Sequence, residues 1–118
     1  MKVIFANGSL AKLKYLALSE DSGSGFLKTE RIGRYIFITD LIHGNLCEDL
    51  VKDDLINIYD LWGSKFGGVF LDEELELPEE CFLEKLILII SKNNYVISYF
   101  DSELMRKTKI REGSFDNN

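Results

Sequence analysis

The sequence predicts an α/β domain, a mixed, largely antiparallel sheet flanked by two main helices, and three observations lead there. Two segments repeat apolar residues at three-and-four spacing. Several short runs are rich in β-branched and aromatic residues. The two kinds of segment interleave as helix, two strands, helix, strand, then two or three strands, an order that favours a mixed sheet over a purely parallel wound one. With 118 residues the chain can close one core and not two. The domain is expected to span residues 1–111, with the polar end 112–118 as a flexible tail.

In the first helix, capped by Asn7 or Ser9 and running through Ser19, Leu10, Leu13, Leu16 and Ala17 share a face while Lys12 and Lys14 point elsewhere. The glycine-serine stretch Asp21 to Gly25 ends it, because short polar side chains and glycine favour turn geometry. A strand begins at Gly25-Phe26-Leu27. After a turn over Arg31 to Arg34, Tyr35-Ile36-Phe37-Ile38-Thr39 is a second strand, paired with the first as a hairpin. Leu46, Leu50, Val51, Leu55, Ile58 and Leu61 set the apolar face of the second helix, which Gly63 stops.

Phe66 to Leu71 reads as a further strand, whose Gly67-Gly68 pair marks a bulge or a close backbone approach. An acidic loop and a short helical turn over Glu79 to Glu84 precede Leu86-Ile87-Leu88-Ile89-Ile90, a continuous apolar run typical of a central strand covered on both faces. Tyr95 to Phe100 then returns antiparallel after the turn at Lys92 to Asn94. Leu104 to Ile110 is either an edge strand or a packed tail.

Charge narrows the partners. The formal net charge is −6, which repels phosphate backbones, so no nucleic-acid partner is expected. No run approaches the ~20 apolar residues of a membrane helix, and Met1 to Phe5 is too short for a signal peptide. A cytoplasmic protein without membrane attachment is expected. Cys47 and Cys81 lack the spacing of a disulfide framework or a zinc knuckle and read as free thiols in a reducing compartment.

Candidate chemistry is sparse, and no catalytic residue, metal site or cofactor is expected. The sole histidine, His43, follows a strand beside Gly44; a general base or metal ligand needs partners at a known spacing, and none stands there. Asp72, Glu73, Glu74, Glu76, Glu79 and Glu80 offer oxygen ligands for a hard divalent cation. Their spacing is not that of a calcium loop, and a charge run of this kind is ordinarily a solvated face. Gly23-Ser24-Gly25 and Gly67-Gly68 lack the Gly-Lys-Ser/Thr and G-x-G-x-x-G patterns of phosphate loops. Ser22, Ser24 and Ser64 have no context of an activated nucleophile. Tyr59, Trp62 and Phe66, near the end of the second helix, suit either the centre of a protein interface or, as large aromatics more often do, the closure of a core.

Three patches of sequence carry a resemblance: Ser9 to Ser19 with Gly25-Phe26-Leu27, then Gly68-Val69-Phe70-Leu71-Asp72-Glu73-Glu74, then Pro78-Glu79-Glu80-Cys81-Phe82 before Leu86 to Ser91. Together with the element order they resemble the JAB/MPN domain family, whose active members are zinc-dependent isopeptidases. The resemblance places the catalytic glutamate at Ser22, the two histidines of His-x-His-Pro at Leu71 and Glu73, and the ligand aspartate at Phe82. Leucine and phenylalanine cannot bind Zn²⁺, and such catalysis needs three protein ligands and an activated water. The resemblance therefore implies a degenerate member, a pseudoenzyme acting as a scaffold with a protein partner or as a homodimer. Two alternatives stand beside it: a divalent-cation-dependent enzyme using the acidic loop 72–80, and an immunity- or inhibitor-type binder whose acidic face blocks a basic partner.

Overall fold

A computed structural model describes residues 2–6, 8–17, 24–44, 51–72, 85–91, 94–101 and 106–115. Its elements follow the order β1 (Lys2–Phe5), α1 (Ser9–Ala17), β2 (Gly25–Ile32), β3 (Tyr35–His43), α2 (Val51–Trp62), β4 (Phe66–Asp72), β5 (Leu86–Ile90), β6 (Asn94–Asp101) and β7 (Arg106–Ser114), with a single 3₁₀ turn, Gly63–Lys65, between α2 and β4. The strands form one seven-stranded sheet ordered β1-β3-β2-β4-β5-β6-β7. Two pairings are parallel, β1 with β3 and β4 with β5, and the other four are antiparallel. The mixed α/β class follows directly. Among the described residues no helix is long and apolar enough to cross a membrane.

The two helices cover opposite faces, and strand alternation divides the core between them. On β5, Leu86, Leu88 and Ile90 join the cluster that holds Leu13 of α1, whereas Ile87 joins the cluster that holds Ile58 of α2. Phe5, on the edge strand β1, meets Tyr95 on β6 edge-to-face with ring centroids 5.3 Å apart, so the sheet curls around the α1 side. Ser9 fixes α1 to the sheet: its Oγ donates to the Ile38 carbonyl at 2.9 Å.

Two bulges keep these faces consistent. Lys28 lies opposite Asp40 and Thr29 opposite Ile38, so Thr39 is an extra residue that lets Ile38 and Leu41 face the same core. On β4, Leu27 lies opposite Gly68 and Lys28 opposite Phe66, leaving Gly67 as the extra residue. Simple alternation would set Phe66 on the face of Phe70. The insertion instead turns it to the α2 side with Val69 and Leu71.

Several expectations need amendment. The four-residue strand β1 was not expected; it is completed only by its parallel neighbour β3. Leu61 was placed on the apolar face of α2 but is 65% exposed, because the packed stripe runs Leu55, Ile58, Trp62, and a helical step of 100° per residue turns Leu61 away from it. Residues 112–118 were expected as a flexible tail. Instead β7 continues to Ser114, with Gly113 opposite Tyr95, and Phe115 is buried against the Tyr95 ring. Residues 116–118, Cys47, Cys81, the beginning of the second helix at Leu46 and the helical turn 79–84 lie outside the described residues.

Candidate functional site

The positions singled out by the resemblance do not assemble a site within the described residues. Ser22, Glu73 and Phe82 lie outside them. Leu71 is 3% exposed and packs with Phe26, Val69 and Ile87 in the cluster beneath α2. At the same end of the sheet, Gly25 is closed in by the Ile42 carbonyl and the Phe70 ring, and the Ser24 hydroxyl is spent on the Gly44 carbonyl at 2.7 Å. His43 is exposed at the end of β3, and Asp72, the one described member of the acidic run, is exposed at the end of β4. Among the described residues no three His, Cys, Asp or Glu side chains group as a metal site.

The aromatic residues near the end of α2 divide between the two roles. Phe66 is fully buried, so its part is packing; Trp62 leans partly buried against the same cluster; Tyr59 is 48% exposed. The Tyr59 ring meets the Phe66 ring edge-to-face at 5.1 Å, so one aromatic presents the other to the surface. Lys85, just before β5, is drawn into this pair. Its Nζ donates to the Phe66 carbonyl at 2.8 Å and lies 4.8 Å from the Phe66 ring centroid and 5.8 Å from that of Tyr59. An ammonium placed over aromatic faces gains about 0.5–1 kcal/mol at exposed sites.

Beside this group opens a cleft of about 420 Å³, lined by residues 29–32 of β2, Ser64 to Gly67, and Lys85. It exists because the Gly67 bulge and the start of β4 at Phe66 end the β2–β4 ladder at Lys28, while β2 runs on to Ile32 alongside β3. Three cations, Arg31, Lys65 and Lys85, line it against one carboxylate, Glu30. Lys65 Nζ bonds Glu30 Oε1 at 2.9 Å, and this hydrogen-bonded ammonium holds the Glu30 carboxyl below its usual range, so it stays ionised. A second hollow of about 430 Å³ shares Arg31 and adds Arg34 and Tyr35 around the hairpin turn.

Sequence reasoning found Tyr59 and the bulge-forming glycine but not the cations. Arg31, Lys65 and Lys85 are scattered along the chain and meet only because β2, β4 and β5 are neighbours in the sheet. The arrangement is a charged, aromatic-edged recess, and among the described residues of its lining no nucleophile–base pair stands. In comparisons with known proteins, no family model matches the chain and no curated sequence matches it.

Proposed function

We propose that this chain is a noncatalytic protein-interaction module of JAB/MPN-like build, and that it meets its partner, or a second copy, through the surface around Tyr59. The observation that carries the reading is the burial of Leu71. Where the resemblance asks for a zinc-binding histidine, an apolar side chain sits 3% exposed in the core under α2. A ligand position absorbed into packing cannot hold an ion together with the water that such catalysis activates. The exposed face of Tyr59, backed by the buried Phe66 and flanked by Lys85, has the make-up of an interface anchor: a large aromatic on a rigid support, with a cation beside it.

A photo-crosslinking amino acid placed at position 59, with one at the 77% exposed Tyr15 of α1 as control, tests this in the native host. The expected result is a discrete crosslinked species, either the dimer or one defined partner, from position 59 only. Equal, diffuse labelling from both positions overturns the reading.

A further inference from the structure

We propose that β1 is a strap across the curl of the sheet, and that how firmly it closes is set from the opposite margin, by Gly113 and Phe115 acting through the Tyr95 ring. Strand order puts β1 and β7 at the two margins of the described sheet, with five strands between them. The curl undoes that separation. The Tyr95 ring, fully buried on β6, meets Phe5 of β1 at 5.3 Å with the planes 72° apart, and Phe115 at 5.8 Å with the planes 55° apart. One ring therefore carries a contact from each margin.

The backbone says why β1 depends on that contact. Its four residues pair with β3 in parallel, a short ladder of the kind that is slightly less stable per residue. One further bond closes each end, from the Lys2 amide to the Arg34 carbonyl and from the Ala6 amide to the Ile38 carbonyl, both at 2.9 Å. Side chains must supply the rest: Val3 lies in the α1-side core, and Phe5 packs against that core where Tyr95 stands. The Tyr95 ring is in turn placed from β7. Gly113 lies opposite Tyr95 in the register, and a Cβ there would fall 2.4 Å from its Cζ, so the ring fills the space the glycine leaves. Phe115, buried beside it, limits its remaining freedom. Shorten Phe115, and the ring gains room to turn away from Phe5. Two contacts that share one partner are energetically coupled, and such coupling acts in both directions. Leu71, in the cluster on the α2 side, belongs to neither contact.

Native-state hydrogen exchange on the full chain, without denaturant, tests the coupling. The Ala6 amide reports the closure of β1, and the amides from Arg111 to Ser114 report the opposite margin. Phe115→Ala should speed exchange at Ala6 about threefold or more, the loss of an aromatic contact expressed as local opening. Phe115→Leu, a smaller change that keeps the core filled, should move Ala6 the same way by less, and decides the matter if the alanine variant does not fold. Phe5→Ala should in return speed exchange between Arg111 and Ser114. Leu71→Ala removes a buried side chain from the other face and should leave Ala6 within about twofold, because local opening of β1 does not involve that cluster. Unchanged exchange at Ala6 in a folded Phe115 variant, an equal rise at Ala6 with Leu71→Ala, or no response of β7 to Phe5→Ala overturns the inference.

Discussion

A Cβ built on Gly67 would lie 1.7 Å from Thr29 Oγ1, so the bulge that opens the cleft and the strand that lines it are fitted to one another atom by atom. Alanine at 67 must push Thr29 aside. Overpacking of this kind typically costs about 1–3 kcal/mol, and Gly67→Ala is expected to lower stability by that amount in chemical denaturation. Combining it with Thr29→Ala should recover part of the loss, since the hydroxyl and methyl it strikes are then gone. Additive losses in the double variant would show that the contact is not the cause.

Leu71 and Leu61 make a matched pair for testing how the core is divided. Leu71 is buried and Leu61 is 65% exposed. Leu71→Ala should destabilise by about 2–5 kcal/mol through lost burial and a residual cavity. Leu61→Ala should stay within about 0.5 kcal/mol. Denaturant midpoints decide, and a comparable loss from both would contradict the assignment of α2's packed stripe to Leu55, Ile58 and Trp62.

The Lys12–Asp40 pair, Nζ to Oδ1 2.8 Å, joins α1 to β3. The Lys12 hydrogen bond, with a lesser contribution from the Leu41 amide, holds the Asp40 carboxyl below its usual range despite partial burial. A carboxyl depressed in the fold contributes stability that is complete above its unfolded pKa of about 3.9 and is lost as pH falls through the lower folded value. Because both side chains are nearly half exposed, the contribution should be only about 0.5 kcal/mol. Asp40→Asn is therefore expected to be slightly less stable than the parent at neutral pH, with the gap closing on acidification. A gap that widens in acid would reverse the sign of the argument.

At the far edge, Gly113 faces Tyr95 so tightly that a Cβ there would fall 2.4 Å from the Tyr95 hydroxyl oxygen, and Phe115 closes the core beside it. Phe115→Ala should cost about 3–5 kcal/mol, the range for a buried phenylalanine. A chain cut after residue 111 should fare no better, whereas one cut after 115 should keep the parent's thermal midpoint. Equal midpoints for both cuts would mean that the last strand adds nothing.

How much of this was legible follows from where each signal resides. The apolar run Leu86 to Ile90 announces a doubly covered strand by itself, and α1, β3 and the stop of α2 at Gly63 are likewise written in local pattern. Lys2 to Phe5 is too short to signal, because a parallel edge strand is defined by a neighbour more than thirty residues away. The end of β7 was hidden for a related reason: Gly113 and Ser114 look like tail until Tyr95 is placed opposite them. At the cleft, the Gly67-Gly68 pair flagged a bulge, but which way the bulge turns Phe66, and which cations it gathers, depends on the sheet order. Tyr59 and Phe66 were visible as aromatics; that one supports and the other presents could be read only from their burial.

The proposed noncatalytic reading, with Leu71 buried where the resemblance asks for a zinc ligand, predicts no residual isopeptidase activity. The most direct measurement is turnover of an isopeptide-linked substrate by the purified chain with Zn²⁺ added, then with a chelator. No turnover above the uncatalysed background in either condition is expected; hydrolysis that appears with zinc and vanishes with the chelator would contradict the account.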